Sequence, residues 1–448
     1  MNPAFGTGRY RPMLYALLVF SLGWVALGFL LDSPREILRG MRVILFSNTP
    51  LITDYFEVAG PGAAFVNAGL VCLLSVLLLH LAGDLVNGYT FMTMGLMAGF
   101  SLFGKNLLNI LPILLGTYLY ARFRKEPFAK YAPVGLLSTA LAPMVSYLAF
   151  GREELWALAL AVLMGVVIGF AMPPLASHTF RILDGMNLYN AGFACGILGM
   201  VLVPVLSAVS LEPQTVLYWS TGRNLEYGLA LGGICLALIA VGLIRGRSAA
   251  LLCYSQMLHT SGRAPSDYLR AFGAPAVSIN MGVNGLLGMA YILAVGGDLN
   301  GPTLGGILTI MGFSAYGKHA ANISPVMLGV LIGNIVNHVP MNNPTMQLAG
   351  LFGTTLAPIS GVFGWPAGIL AGLLHSSVVL QCGAAVNGMN LYNNGFSGGL
   401  VALVLYPLLS SVVRRRRPRL RDLEFFEQVE HDEPISPAKL DATEENGE

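Results

Sequence analysis

The chain carries the same text twice. The stretch GFSLFGKNLLNILPILLG at residues 99–116 returns as GFSAYGKHAANISPVMLG at 312–329. The shorter GMNLYNAGF at 185–193 returns as GMNLYNNGF at 388–396. Weaker matches fill the gaps between them. Asp54 and Tyr55 pair with Asp267 and Tyr268, Asn67 with Asn280, and the TALAP stretch at 139–143 with TTLAP at 354–358. The duplication is nearly chain-wide, so the fold is built of two similar halves.

Both copies lie in apolar surroundings. Apolar residues make up 55% of the chain and charged residues 11%, against about 25% charged in ordinary soluble domains. Seven apolar segments are read in the first half, near 13–31, 61–82, 91–104, 105–123, 132–150, 157–180 and 188–206. The second half repeats the order near 228–246, 274–297, 303–317, 318–340, 345–364, 365–382 and 391–412. Several reach the roughly 20 residues that cross a bilayer. The expectation is an all-α polytopic membrane protein, a helical bundle of about 12–14 segments in two inverted repeats with short broken helices. Its expected divisions are a cytoplasmic segment 1–12, a first repeat 13–210, a linker 211–227, a second repeat 228–413 and a basic, then acidic, disordered tail 414–448.

Charge sets the expected orientation, because loops rich in Lys and Arg stay in the cytoplasm. Arg9 and Arg11, the loop with Arg122, Arg124, Lys125 and Lys130, the loop with Arg245, Arg247, Arg263 and Arg270, and the Arg414–Arg417 cluster all fall inside if every segment crosses. An odd number of crossings per half then inverts the second copy. Both termini are expected in the cytoplasm and the protein in the inner (plasma) membrane, as a multi-pass protein. The first apolar run is read as an uncleaved helix, since no small-residue cleavage site follows it. The Arg cluster reads as a partner of anionic lipid, not of nucleic acid.

The third segments are the odd ones. At about 14–15 residues they span roughly 21–23 Å, short of a bilayer core of about 30 Å. They are interrupted by glycine and run into Lys105 and Lys318. Short, broken segments at matching places in two halves point to a transport site. A buried lysine in a membrane is expensive and rarely idle. If the chain is helical beyond them, Lys105 with Asn109, and Lys318 with Asn322, share a face, and the pair of cations would attract an anionic or polar solute. The competing reading pairs each lysine with Asp84 or Asp298, or lets it snorkel to an interface.

In GMNLYN, a helix would put Asn187 and Asn190 on one face, as it would Asn390 and Asn393, beside Tyr189 and Tyr392. Amide groups suit a neutral polar solute or an ion; they also knit helices together. Asp84, Asp298 and Asp184 are candidate carriers of a coupling proton or sodium ion, and position 387 holds Asn where the first half has Asp184. His375 reads as a satisfied interhelical histidine, and Pro143 and Pro358 as kinks. The five cysteines are scattered with no CxxC, and the histidines have no ligand spacing, so neither a metal nor a cofactor is expected.

The motifs GFSxxGKxxxNIxPxxLG and GMNLYNxGF, each present twice, resemble an uncharacterised family of bacterial multi-spanning membrane proteins, domain of unknown function 1576. The resemblance covers about residues 13–413 and implies an integral inner-membrane protein without an assigned activity. Gly185, Tyr189, Asn190 and Phe193 also resemble a short stretch found in both halves of urea transporters, which implies a channel-like fold. The expected function is transport of a small polar or anionic solute through a site between the halves, with no enzyme activity and homo-oligomerisation left open. The alternatives are a passive channel of the urea-transporter kind and a membrane-embedded enzyme or scaffold.

Overall fold

The computed structural model describes residues 7–48, 52–83, 86–151, 154–208 and 216–412. The expected disordered tail lies outside them, as do Asp84 and the start of the linker. The described residues form eighteen α-helices and no strand. The first half holds α1 (Thr7–Leu31), α2 (Pro34–Phe46), α3 (Tyr55–Ala59), α4 (Pro61–Ala82), α5 (Gly88–Phe100), α6 (Leu107–Arg124), α7 (Ala132–Ser138), α8 (Ala142–Phe150), α9 (Leu155–Leu183) and α10 (Asn190–Ala208). The second holds α11 (Asn224–Met257), α12 (Tyr268–Ala294), α13 (Gly301–Phe313), α14 (Ala320–Val336), α15 (Pro344–Phe352), α16 (Ala357–Phe363), α17 (Trp365–Ala385) and α18 (Asn393–Val412).

The halves match element for element. Where the first half breaks between α3 and α4 at Gly60 (φ +88°), α12 kinks at Gly273 (φ +78°), and Pro61 and Pro275 follow. Glycine is the residue that enters this backbone region without a Cβ clash. Likewise α11, broken at Arg247, spans what α1 and α2 do separately. The fifth segments are each two helices joined by a 3-10 turn, Thr139–Leu141 and Gly353–Leu356. Pro143 and Pro358 therefore open α8 and α16, where a missing N–H costs nothing, instead of kinking one long helix.

Among the described residues, ten helices or helix pairs are long and apolar enough to cross a membrane. Their outward faces are apolar too. Leu30, Leu229 and Ile244 on α1 and α11 are 82%, 70% and 76% exposed, which suits lipid and would be a liability in water. At the centre the pattern reverses. Every residue of α13 and nearly every residue of α5 is buried. At 13 residues each is about 20 Å long. The two short helices are thus the innermost layer, and the long ones surround them.

Candidate functional site

The site is assembled from contacts that occur twice with the halves exchanged. α5 and α13 lie side by side. A Cβ on Gly99 would stand 2.4 Å from the Gly305 carbonyl, and one on Gly95 would stand 2.8 Å from Gly312. The start of α5 at Gly88 lies against the Ala315 carbonyl just past the end of α13, and Gly301 lies against the Leu102 carbonyl just past the end of α5. The equivalent helices therefore run antiparallel. Each begins on a carboxylate from the opposite half. The Gly88 N–H donates to Asp267 Oδ1 at 3.1 Å, and the Gly301 N–H donates to Asp54. Asp54 also accepts from the Ser220 N–H (3.0 Å) and hydroxyl (2.5 Å) and caps α3, while Asp267 caps α12. A carboxylate at a helix start answers the free N–H groups there.

Both short helices stop at a turn closed by a left-handed glycine, Gly104 (φ +120°) and Gly317 (φ +99°). The Lys105 N–H then bonds the Phe100 carbonyl and the Lys318 N–H the Phe313 carbonyl, each at 3.0 Å. A broken helix leaves backbone carbonyls to satisfy. Asn67 does so by donating to the carbonyls of Ser101 (2.7 Å) and Lys105 (2.8 Å), and Asn280 repeats this at Ser314 and Lys318. Lys105 and Lys318 precede α6 and α14, so they share no helix face with Asn109 and Asn322. Those two asparagines instead hold the turn. Asn109 donates to the Gly104 carbonyl and the Ser146 hydroxyl, and Asn322 to the Gly317 carbonyl, all within 3.0 Å.

The two lysine side chains are fully buried. Lys105 Nζ donates to the Tyr392 hydroxyl at 2.5 Å, and Lys318 Nζ to the hydroxyls of Tyr189 and, at 2.7 Å, Thr354. Each amine also faces aromatic rings, Lys105 those of Tyr392 (4.7 Å) and Phe100 (5.6 Å), Lys318 those of Tyr189 (4.2 Å) and Phe313 (4.9 Å). Among the described residues neither has a carboxylate within ion-pair distance. Phe352 joins the pairs, stacked on Phe100 at 5.2 Å and edge-on to Tyr189 at 6.3 Å. Every pair takes its lysine from one half and its tyrosine from the other.

GMNLYN is the device that delivers those tyrosines. α10 and α18 start only at Asn190 and Asn393, so Asn187 and Asn390 lie in the turn before the helix and not on its face. Asn187 donates to the Gly395 carbonyl (3.0 Å) and accepts from the Thr355 hydroxyl; Asn390 donates to the Gly192 carbonyl (3.3 Å). Phe193 and Phe396, the last residues of the two motifs, stack on each other at 6.1 Å. Asn190 and Asn393 differ from the preceding pair: both have a buried Oδ1 with no partner among the described residues. Asn190 spends its amide N–H on the Ala176 carbonyl at 2.8 Å.

A cavity of about 600 Å³ reaches this centre. Tyr189, Tyr392, Asn190 and Phe313 line it, with Tyr89 and Tyr316 meeting edge to face at 5.3 Å. Arg124, Lys130 and Arg181, all exposed, also line it. Among the described residues its walls hold no acidic side chain. Glu126 pairs with Lys130 at 3.0 Å nearby, and bonds from Tyr131 and Lys130 hold its carboxyl below the usual carboxylate value. Asn393, Asn187 and Asn390 do not line this cavity.

The carboxylates expected to couple an ion have other occupations. Asp184 binds Arg263 through its side chain, and the Tyr406 hydroxyl bonds it at 2.7 Å. Asp298 accepts the Gly222 N–H at 3.0 Å. Neither lies beside Lys105 or Lys318, and Asp84 falls outside the described residues. His375 is the satisfied interhelical histidine expected, bonded to Asn394 and Ser397. Asp54 and Asp267 were visible as a matched pair in the sequence, but nothing local pointed to their reach into the opposite half.

These features describe a polytopic helical membrane protein with a duplicated architecture and a polar centre shared by its two halves. The family described as Protein of unknown function (DUF1576) matches residues 33–208 and 247–411, and the chain belongs to it. None of the curated proteins and none of the solved structures matches, so the likeness to urea transporters gains no support.

Proposed function

We propose that the protein is a membrane transporter whose two halves are inserted in opposite orientations and whose path runs through the shared centre. The observation that carries this is the cavity that ends on Tyr189 and Tyr392, the two residues that hold the buried lysines. Antiparallel packing of α5 against α13 supports the inversion, because a twofold axis that reverses a spanning helix lies in the membrane plane. The cationic mouth supports a cytoplasmic opening in the inner membrane. On this reading the described conformation faces inward, and exchange between the mirrored Lys–Tyr pairs accompanies opening to the other side. The polar groups are mirrored, which favours a path over a one-sided catalytic set.

Uptake by proteoliposomes, screened against pooled labelled metabolites, tests the proposal. Saturable accumulation that is abolished by Tyr392→Phe is the expected result. Saturable uptake that Tyr392→Phe and Lys105→Met leave unchanged would place the path elsewhere. A flux that never saturates would favour a passive pore.

A further inference from the structure

The chemistry of the cavity narrows what it takes. Resting on the transport reading above, we infer that the ligand is an organic anion with a flat apolar body, its acidic group drawn to the Lys–Tyr centre and its body held by the aromatic walls.

Size is the first argument. A cavity of about 600 Å³ lies within the range that encloses a drug-sized ligand, far more than urea or a bare inorganic ion fills. Charge is the second. The lining offers Arg124, Lys130 and Arg181 and, among the described residues, no acidic side chain; the carboxylates behind it are engaged, Glu126 with Lys130, Asp184 with Arg263, and Asp267 with the start of α5. Such a mouth concentrates anions and repels cations. The third is the proton inventory at the far end. A lysine amine that donates to a phenol oxygen makes that oxygen an acceptor, and the phenol's own proton is left for another partner. Tyr392 has no second bond among the described residues. Tyr189 has Thr354 beside it, whose hydroxyl proton goes to the Leu351 carbonyl. With its own proton on Leu351, the Thr354 oxygen accepts that of Tyr189, so Tyr392 is the phenol whose proton is unspent among the described residues, and this lysine-backed donor suits a carboxylate, sulfonate or phosphate. The fourth argument is the wall itself. Tyr89, Tyr316, Phe180 and Phe313 present ring surface, and Met92 and Leu137 present apolar surface. A purely polar anion would leave that surface without a partner.

The full chain, purified in detergent, is to be melted in the presence of 2-naphthoate, its neutral isostere 2-naphthamide, and succinate. Naphthoate should raise the melting temperature with saturation. The amide should bind about tenfold more weakly or less, as expected when a charge-assisted bond is lost. Succinate, an anion without the flat body, should also be weaker. Arg181→Ala lies at the exposed mouth and should fold normally while weakening naphthoate binding; Tyr316→Ala should weaken naphthoate more than succinate. Equal binding of naphthoate and naphthamide, or stronger binding of succinate, overturns the inference. Naphthoate that binds as stated but is never accumulated by proteoliposomes refutes transport and leaves the ligand class standing. Saturable uptake of a neutral solute without naphthoate binding does the reverse.

Discussion

Asn187 is bonded at both ends of its amide, and Asn190 at one. Three residues apart in one motif, they answer to different requirements. Asn187→Ala removes the donor to the Gly395 carbonyl and the acceptor for Thr355, leaving buried groups unpaired at a cost of about 1–3 kcal/mol. Asn190→Ala loses one bond, about 0.6 kcal/mol on the average for membrane helices, but removes the orphaned oxygen beside the cavity. We expect Asn187→Ala to lower the melting temperature clearly, and Asn190→Ala to leave it nearly unchanged while reducing transport. Thermal melts alongside uptake check this, and the reverse pattern would sink the assignment. The recurrence of GMNLYN set these residues apart in the sequence, the tyrosines with them. What periodicity did not disclose is where α10 begins. With the helix starting at Asn190, the i, i+3 face on which Asn187 was expected does not exist. Lys105 and Asn109 fail as a helical pair for the same reason: Asn106 between them is extended, and α6 begins at Leu107.

At the scale of elements, the short helices owe their place to glycine. Their length and their glycines were plain in the sequence and correctly marked them as unusual. That they pack on each other was not legible, because helix–helix contact between residues some 200 positions apart leaves no local trace. The Gly99–Gly305 approach leaves no room for a methyl group, since the obstacle is backbone and not a flexible side chain. Gly99→Ala should destabilise by about 1–3 kcal/mol, as overpacking does. Gly233, on the outer face of α11 with nothing within 4 Å of its added Cβ, is the control. Gly233→Ala should be neutral or slightly stabilising, because alanine favours the helix by up to about 1 kcal/mol. Equal effects of the two substitutions on the melting temperature would remove close packing as the explanation.

At the scale of the whole molecule, orientation is the quantity to measure. The loop holding Lys125 and the turn holding Asn343 occupy corresponding places in the two halves. In inverted halves they lie on opposite sides of the membrane. Single cysteines there, on a background cleared of the five native ones, should differ in reaction with an impermeant thiol reagent: Asn343→Cys labelled from outside, Lys125→Cys only after permeabilisation. Labelling of both from one side would refute the inversion. The duplication and the bilayer were readable because hydropathy and repeated text are local properties of the chain. The exchange of partners between halves was not, since it is a property of the assembled pair. That exchange has a consequence for descent. Lys105 meets Tyr392, Lys318 meets Tyr189, Asp54 meets Gly301, and Asp267 meets Gly88. Cut the chain between α10 and α11, and every one of these bonds becomes intermolecular. The contact set is that of a symmetric dimer; with the inverted orientation proposed above, an ancestor of half the length would have had to insert its single polypeptide both ways up, and fusion of two genes would have frozen one copy in each orientation.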